Sequence, residues 1–447
     1  MAKKKQIELT IEEKLQNALV PKEEQPYKIP NNWCWTRLTF LSDLLTGNSI
    51  NAKEKENKYM NLSEGYNYIA TKDISFNSNI NYNNGVKIPF ENNFKIAKKN
   101  SSLLCIEGGS AGRKIGFLNQ DVCFVNKLCA FYPIKIEAKY LFYFLQSPIF
   151  NISFKEKMNG LIGGVSVAKL KDIPIILPPI NEQQRIVNRI ESLFVKLDRA
   201  KELIENTLAQ FEQNKMAILH KAFTGELTAK WRKENNINEK NFFNKVKLKN
   251  VIKLISGRDV SVSLCNDKSI GIPYILGASN IKDNKFFIER WIENPVVVSE
   301  KNDILLSVKG TIGKLYLQKE EKINISRQIM ALRALNELNT HYLYYFLLRE
   351  CERLKFEGNG LIPGISRKDI LDLNILLPTL EEQQEIVNIL DNLLAKYNKI
   401  KNLEQQLEKI ELLKKAILAK VFRGELGTNN PDEESAENLL KEILAEK

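Results

Sequence analysis

Two short glycine-containing segments carry the residue types that contact phosphate. They are GGSAGRK, from Gly108 to Lys114, and KGTIGK, from Lys309 to Lys314, and each follows an apolar, strand-like run. Glycine lets the backbone approach a partner closely, and amides, hydroxyls and cations bind phosphate oxygens. The candidate phosphate-contacting residues are Gly109, Ser110, Arg113, Lys114, Lys309, Gly310, Thr311 and Lys314. A plain strand turn with solvated lysines explains the same segments, and the sequence leaves both interpretations open.

Polar residues also interrupt two apolar runs further along the chain. The run FVNKL contains Asn126 and Lys127, and the run ISRQI contains Ser326, Arg327 and Gln328. Arginine and glutamine side chains can pair bidentately with guanine or adenine edges. A half-buried strand with an exposed polar face explains the same pattern equally well. Basic residues just before the last strand of each half complete the candidate set, although such charges are often merely solvated: Lys169, Arg367 and Lys368.

Catalytic constellations are missing from the sequence. The two histidines, His220 and His341, have no acidic or cysteine partner nearby in sequence, so neither a histidine-based catalytic site nor a zinc site is expected. A phosphate loop of the P-loop type would need glycine at Val308 and serine or threonine at Leu315. No adenine-methyltransferase tetrapeptide is found either. The sequence therefore predicts a non-catalytic binding protein that holds no metal and no cofactor.

The bulk composition agrees with a globular protein that binds a polyanion. The chain has 447 residues, a net charge of +12 and 43% hydrophobic residues. A basic surplus favours nucleic acid, although a Lys- and Asn-rich composition can produce it without any such partner. Cys123 and Cys129 lie in apolar runs and are expected to be small buried hydrophobes. Since the sequence contains neither a secretory signal nor an apolar run of membrane-spanning length, a cytoplasmic location is expected.

The chain repeats itself at an interval of about 200 residues. The matched pairs appear in the same order in both halves: YLFYFL and YLYYFL, NGLIGGVS and NGLIPGIS, LPPINEQQRIVNRI and LPTLEEQQEIVNIL, KMAILHKAFTGELT and KKAILAKVFRGELG. The interiors of the two halves, roughly 48–100 and 258–300, barely match. A shared frame with divergent interiors suggests that each copy handles a different target, and neutral drift in loops is the alternative.

Each half combines an α+β domain with a long helix. Short apolar runs separated by Gly, Asn and Pro predict strands and turns. The predicted fold is α+β: two tandem duplicated α/β domains joined by two long antiparallel coiled-coil helices with an approximate twofold relation. The expected boundaries are an N-terminal helical segment at 1–28, a first domain at 29–180, a first helix at 181–225, a linker and second domain at 226–378, a second helix at 379–425 and a tail helix at 426–447.

Apolar residues in steps of three and four indicate that the long helices pack on each other. The predicted seam is Ile186, Ile190, Leu193, Leu197, Ile204, Phe211, Ile218, Ile386, Leu390, Leu393, Ile400, Leu403, Leu407, Ile410 and Ile417. The second helix has lost one residue relative to the first, and the pattern places this slip between Ile400 and Leu403. An antiparallel pair is favoured, because in a parallel pair the intervening domain would have to span the whole rod.

The EQQ segments at the start of both helices have two possible roles. Acidic residues stabilise a helix N-terminus, so helix capping is a sufficient explanation. Their repetition in both halves also favours the docking of a partner. The candidate docking residues are Glu182, Gln183, Gln184, Glu382, Gln383 and Gln384.

Taken together, these segments resemble the DNA specificity subunits of type I restriction-modification systems. The most specific elements are the two LPP/LPT–EQQ helix entries, the KAFTGELTAKWRKEN and KVFRGELG exits, the segment IPNNWCWTRL before the first domain, and the two NGLI segments. The resemblance covers nearly the whole chain. The second half has FNKVKL where the first has NWCW, which puts only the N-terminal edge of the second domain in doubt.

The resemblance implies a function and a set of partners. Each domain would be a target recognition domain that reads one half of a split site on double-stranded DNA. The helices would set the unread spacer and dock two modification (methyltransferase) subunits, to which restriction (endonuclease/translocase) subunits are added. S-adenosylmethionine, ATP and Mg would be bound by these partners, and this chain would bind none of them. Two alternatives remain: a specificity subunit of a related non-type-I system, and a non-catalytic coiled-coil scaffold.

Overall fold

The computed structural model describes residues 9–158, 163–237, 244–282, 285–357, 364–398 and 401–446. Its helices are α1 Ile11–Ala18, α2 Leu38–Leu41, α3 Ala52–Glu54, α4 Ala138–Phe144, α5 Pro148–Glu156, α6 Val167–Lys171, α7 Ile180–Ala222, α8 Ala229–Glu234, α9 Thr340–Glu357, α10 Arg367–Leu371, α11 Leu380–Asn398, α12 Lys401–Val421 and α13 Ala436–Ala445. In the described part of the chain no helix combines the length and the apolar character needed to cross a membrane.

The strands are short and fall into two series. The first series is β1 Cys34–Arg37, β2 Ser42–Thr46, β3 Tyr66–Ile69, β4 Lys87–Ile88, β5 Ile96–Ala97, β6 Ser102–Cys105, β7 Ile115–Phe117, β8 Val122–Phe124, β9 Leu128–Pro133 and β10 Pro174–Leu177. The second is β11 Asn244–Lys247, β12 Ile252–Ser256, β13 Cys265–Asn266, β14 Ile272–Ile275, β15 Ile281–Lys282, β16 Lys285–Phe286, β17 Trp291–Ile292, β18 Val298–Glu300, β19 Ile304–Ser307, β20 Leu315–Leu317, β21 Lys322–Ile325, β22 Ile329–Ala334 and β23 Asn374–Leu377.

The chain divides into two compact units. Unit 1 comprises residues 1–202 and 406–447, and unit 2 comprises residues 203–405. Unit 1 contains a four-stranded sheet of order β2-β9-β6-β7, and unit 2 contains a sheet of order β12-β22-β19-β20. In each unit a parallel strand pair, β3–β8 or β14–β21, joins a second sheet. The matching strand order of the four-stranded sheets and the matching parallel pairs confirm the duplication predicted from the sequence, although the second sheet has four strands in unit 1 and five in unit 2.

The edge that the sequence left in doubt is present in both units. In unit 1, β1 pairs antiparallel with β10, and in unit 2, β11 pairs antiparallel with β23. Each pairing extends over four residue pairs. The first edge buries Trp33 and Trp35, and full burial of a large apolar side chain stabilises a fold by about 1.5–3 kcal/mol. Residues 244–247 of the FNKVKL segment therefore form the strand without the two tryptophans.

Two matched glycines let the end of β2 or β12 approach the backbone at the end of β8 or β21 closely. A Cβ on Gly47 would lie 1.8 Å from the carbonyl oxygen of Phe124, and a Cβ on Gly257 would lie 2.1 Å from that of Ser326. A side chain at either position would therefore overlap the backbone at the end of β8 or β21. Because the clash is with backbone, it cannot be relieved by a change of rotamer.

Unit 1 also contains an antiparallel helix pair. Asp198 of α7 bonds Lys414 of α12 at 2.5 Å, and Lys201 bonds Glu411 at 3.0 Å. A step of three residues forward along α7 thus matches a step of three residues backward along α12, which confirms the antiparallel prediction in this unit. The terminal helices α1 and α13 pack on each other, with Lys441 Nζ 3.0 Å from Glu12 Oε1.

Unit 2 contains the other half of the helical pattern. The end of α7, through Leu219 and Ala222, shares a core with Ile386 and Leu390 at the start of α11. This again makes the helices antiparallel. All the predicted seam residues that the structure describes are buried or half-buried. Ile400, which marks one end of the predicted slip, lies outside the described residues.

Candidate nucleic-acid interface

The first glycine segment of unit 1 connects β6 to β7, and the turn 125–127 connects β8 to β9. These two connections lie at the same end of one sheet because β6 pairs antiparallel with β9, with Cys105 opposite Leu128. The amide of Ile106 donates to the carbonyl oxygen of Lys127 at 3.0 Å. The side chains of Asn126 and Lys127 are exposed beside the glycine loop. The structure therefore brings together two of the sequence-predicted clusters.

A third repeated segment meets the same loop. The amide of Gly108 donates to the carbonyl of Gly163 at 2.9 Å, and the amide of Val165 donates to that of Ile106 at 3.0 Å. In unit 2, Ile365 likewise donates to Val308 at 3.0 Å. The rest of the two NGLI segments, residues 159–162 and 359–363, lies outside the described residues. Their described ends explain why the glycine loop and the NGLI segment recur together in the sequence.

The glycine loop of unit 1 presents free amides and two cations. The backbone amides of Gly109 and Ser110 donate no hydrogen bond to the described part of the chain. Arg113 is exposed and donates to the carbonyl of Gly109, while Lys114 Nζ donates to Thr71 O at 3.1 Å. The loop borders a cavity of about 380 Å³, which Lys155 of α5 also lines. Amides and cations that converge on one concavity suit an anionic partner.

An exposed aromatic side chain lies against these cations. Phe76, in the loop after β3, is 62% exposed. The guanidinium carbon of Arg113 lies 5.5 Å from its ring centroid, and Lys114 Nζ lies 5.1 Å from it. Cations at this distance are attracted to the ring quadrupole. In unit 2, Phe287 follows the β15–β16 hairpin, is 47% exposed and has Lys282 Nζ at 5.8 Å.

Two hydrogen bonds of the Ser307 hydroxyl fix the backbone of the glycine loop in unit 2. The hydroxyl donates to the carbonyl of Thr311 at 2.8 Å and accepts from the amide of Lys314 at 2.8 Å. The side chains of Lys309, Thr311 and Lys314 are exposed. The loop backbone is thus fixed while its cations and hydroxyl face solvent.

The turn 326–328 lies beside that loop, and it corrects one prediction. Ser326 is 1% exposed and its hydroxyl donates to Leu276 O at 2.5 Å, so its side chain is not available to a partner. Arg327 and Gln328 are exposed. Arg327 pairs with Asp259, with Nε 2.7 Å from Oδ2. A serine in a strand-end turn looks polar in sequence, but here it closes the strand end by hydrogen bonding to backbone.

The basic residues of the short helices α6 and α10 are less concentrated. Lys169 is half-buried and its Nζ lies 3.3 Å from Lys157 O at the end of α5. Arg367 is exposed, and its Nη1 donates to Ser256 Oγ at 2.6 Å. Ser256 precedes the exposed Arg258 by two residues. Lys368 is exposed. Arg367 therefore reaches the sheet end that carries the 326–328 turn, because Ser256 pairs with Met330.

The EQQ segment of unit 1 is an internal anchor. Glu182 and Gln183 are fully buried. The Glu182 carboxylate accepts from Trp33 Nε1 at 2.8 Å, from Asn429 Nδ2 at 2.9 Å and from Thr428 Oγ1 at 3.2 Å. The carbonyl oxygen of the Gln183 side chain accepts from the amide of Glu137 at 2.9 Å. The segment that follows α12 is thereby tied to the start of α7.

The EQQ segment of unit 2 repeats this design with a different donor. Glu382 and Gln383 are fully buried. Glu382 accepts from the hydroxyl of Thr228 and from Arg232 Nη1, the latter at 2.7 Å. Gln383 accepts from the amide of Asn339 at 2.7 Å. Burial raises the pKa of the Glu382 carboxyl above its usual value, and the bonds to Thr228 and Arg232 act in the opposite direction.

These contacts revise the docking prediction. The side chains of Glu182, Gln183, Glu382 and Gln383 are inside the protein and offer no surface to a partner. Gln184 and Gln384 are exposed, and for them docking stays a prediction. The repetition of EQQ that favoured docking is explained by the repetition of an internal hydrogen-bond network.

The histidines and cysteines that the sequence singled out can be placed in the structure. His220 and His341 are exposed. The described part of the chain contains no group of three or more His, Cys, Asp or Glu side chains that could hold a metal ion. Cys123 and Cys129 are buried as expected, and burial raises the pKa of the Cys129 thiol to about 12.

Sequence reasoning missed Phe76, Phe287, Lys155 and Arg258. The two phenylalanines lie in the divergent interiors, where no match between the halves marks them. No local pattern in the sequence distinguishes them from core aromatic residues. Lys155 required the packing of α5 against the glycine loop, which no local pattern shows.

The comparisons with known proteins point to one family. Residues 30–212 and 241–412 match the type I restriction modification DNA specificity domain. The chain is 26% identical over 325 residues to the EcoKI specificity subunit of Escherichia coli K12, covering 66% of this chain and 69% of that one. It is 25% identical over 465 residues to the StySPI specificity subunit of Salmonella potsdam, covering 94% and 96%.

Solved structures show the same fold. A chain from a study of complex assembly and conformational transition of the type I R-M system aligns with a TM-score of 0.73 at 22% identity, covering 90% of this chain and 100% of that one. The HsdS subunit from Thermoanaerobacter tengcongensis aligns with a TM-score of 0.53 at 22% identity, with the same coverage.

Proposed function

The chain belongs to the type I restriction modification DNA specificity family, whose domain it carries in tandem, and we propose on this premise that each unit reads one half of a bipartite site. It is a type I restriction-modification specificity subunit. In this proposal it chooses the DNA sequence, and partner subunits methylate and cleave.

One observation supports the half-site assignment above the others. The two units share one fold, and at the equivalent end of the four-stranded sheet each unit presents different polar residues at matched positions. Unit 1 offers Asn126 and Lys127 where unit 2 offers Arg327 and Gln328. Because base edges differ in their donors and acceptors, different side chains on the same frame select different bases. Two different readers on one chain suit a split, asymmetric site.

The long helices are proposed to fix the distance between the two half-sites. Helix α7 has 43 residues, which at 1.5 Å per residue is roughly 65 Å. At 3.4 Å per base pair, a rod of that length covers at most about 19 base pairs. A ruler needs stiffness, and the ion pairs Asp198–Lys414 and Lys201–Glu411 together with the apolar seam supply it in unit 1.

The partners are proposed to be two methyltransferase subunits and, for cleavage, restriction subunits. In this assembly S-adenosylmethionine, ATP and Mg belong to the partners, and this chain directs their adenine methylation and cleavage without catalysing either. Exposed helix-entry residues such as Gln184 and Gln384 are available for docking.

A domain exchange tests the half-site model. Residues 30–175 are replaced by the corresponding segment of another family member, and methylated adenines are mapped across the genome with the complete modification enzyme. One half-site is expected to change while the other half-site and the spacer stay as they were. If both half-sites change, the model of one unit per half-site fails.

A paired deletion tests the ruler. Removing one heptad from α7 and the matched heptad from α12 keeps the seam in phase. The expected result is a shorter spacer between unchanged half-sites in the same methylation map. An unaltered spacer in an active enzyme would rule out the helices as the ruler.

A further inference from the structure

The backbone of Gln328 is fixed while its side chain is free. Its amide donates to Ser326 Oγ at 3.2 Å, and its carbonyl accepts from the amide of Val308 at 2.8 Å. The side-chain amide makes no hydrogen bond to the described part of the chain and is exposed. A reader of base edges needs this combination, because a fixed backbone limits the entropy lost when the side chain binds.

Two glycines shape the space in which this side chain lies. A Cβ on Gly277 would be 2.4 Å from Gln328 Oε1, and a Cβ on Gly310 would be 3.9 Å from it. Gly277 thus leaves the room that the amide occupies, and any other residue there would push it away. The amide oxygen therefore lies beside both Gly277 and Gly310, and Gly310 belongs to the loop whose cations Lys309 and Lys314 are exposed.

The neighbouring arginine is already engaged. Arg327 Nε lies 2.7 Å from Asp259 Oδ2, and the backbone amide of Arg327 donates to Asp259 Oδ1 at 3.1 Å. This pair occupies one donor of the Arg327 guanidinium and restrains its position. Gln328 can use its donor and its acceptor without breaking a contact.

Lys127 is the counterpart of Gln328 in unit 1. Its carbonyl accepts from the amide of Ile106 at 3.0 Å, as that of Gln328 accepts from Val308. Both residues directly precede the strand that pairs with the glycine-loop strand, β9 in unit 1 and β22 in unit 2. Lys127 is also exposed. The two units therefore hold a glutamine and a lysine at one equivalent, fixed position.

We propose that this position is a base-reading position in each half-site, with Gln328 contacting an adenine and Lys127 contacting a guanine. Glutamine can bond adenine N6 and N7 together, and lysine can bond guanine O6 and N7, in the major groove. This inference rests on the proposed function, since it requires each unit to read DNA. It identifies one residue that makes the two half-sites differ.

The test is a reciprocal exchange. The Gln328→Lys and Lys127→Gln variants of the full chain, each with its methyltransferase subunits, are incubated with a library of randomised double-stranded DNA, and bound sequences are counted. Gln328→Lys is expected to change the preference at one position of one half-site from adenine to guanine. Lys127→Gln is expected to do the reverse in the other half-site. A good bidentate contact discriminates by about 5- to 150-fold.

Two further variants make the result decisive. Gln328→Ala is expected to lose the preference at that position only. Lys319→Ala is the control, because Lys319 is exposed but follows the far end of β20, away from the glycine loop. If Gln328→Ala and Gln328→Lys leave every position unchanged, or shift affinity for all sequences equally as a phosphate contact would, the inference is wrong and the proposed function stands. If the unaltered chain enriches no sequence, the proposed function itself fails.

Discussion

Replacing Glu382 by alanine is expected to destabilise unit 2 by about 3–5 kcal/mol, because it leaves a buried guanidinium without its carboxylate. Arg232 is 5% exposed and Glu382 is not exposed at all, with Arg232 Nη1 2.7 Å from Glu382 Oε1. At about 1.4 kcal/mol per factor of ten, the loss corresponds to roughly 100- to 4,000-fold in the unfolding equilibrium.

The matched position in unit 1 supplies the comparison. Glu182 accepts from neutral groups only, and among its donors the indole of Trp33 is the buried one, while Thr428 and Asn429 are partly exposed. Leaving one buried neutral donor unpaired costs about 1–3 kcal/mol. Glu182→Ala is therefore expected to destabilise unit 1 less than Glu382→Ala destabilises unit 2.

A double variant separates charge burial from lost packing. Glu382→Leu combined with Arg232→Met removes both charges and keeps similar volume, so most of the stability should return. Hydrogen exchange followed by mass spectrometry at increasing urea measures the two units separately, through peptides from β19–β22 and from β6–β9. Equal destabilisation by Glu382→Ala and by the double variant would refute the reasoning, as would a larger effect of Glu182→Ala.

Three further outcomes are expected. The bond from Arg185 lowers the pKa of the Glu433 carboxyl, so this pair stabilises unit 1 when the pH is above the ordinary glutamate pKa, and the contribution is lost as the pH falls through the lowered value. Glu433→Gln should therefore reduce the free energy of unfolding at pH 7 by about 1 kcal/mol. In acid unfolding curves the difference between the variant and the unaltered chain should vanish. Arg113→Ala should reduce the slope of log affinity against log salt concentration by about one, because one phosphate contact is lost. Phe76→Ala should weaken DNA binding and leave that slope unchanged. Equal slopes for both variants would contradict the assignment of Arg113 as a phosphate contact. Gly257→Ala should prevent unit 2 from folding, measured by its hydrogen exchange, because the new Cβ would lie 2.1 Å from a backbone oxygen.

Much of the fold was predictable because it depends on local periodicity and on repetition. The 43-residue helix α7 was predictable because its stretch of the chain contains no Gly or Pro and its apolar residues recur every three or four positions. The duplicated topology follows from the repeated segments, and the seam residues follow from the same heptad count. The glycine loops were also found locally, since glycine and cations after an apolar run are visible in the sequence.

The site was only partly predictable, because polarity in a sequence does not give burial. Ser326 and Arg327 are adjacent and equally polar, yet one is buried against Leu276 O and the other is exposed. Phe76 gave no signal, because an isolated aromatic in a divergent segment is more often part of a core. Its exposure beside Arg113 and Lys114 depends on two strands that are distant in sequence.

The sequence by itself determined that this chain is a tandem repeat, that each repeat ends in a long amphipathic helix, and which residue types occupy the loops. These properties are local, since each depends on the spacing of side chains along one segment. Only the tertiary structure decided what the repeated EQQ segments do. Their buried carboxylates and amides bond to partners that are distant in the chain, such as Asn339, which lies 44 residues from Gln383, and Asn429, which lies 247 residues from Glu182. A buried polar group must find such a partner to be tolerated, and chain folding alone brings that partner within reach.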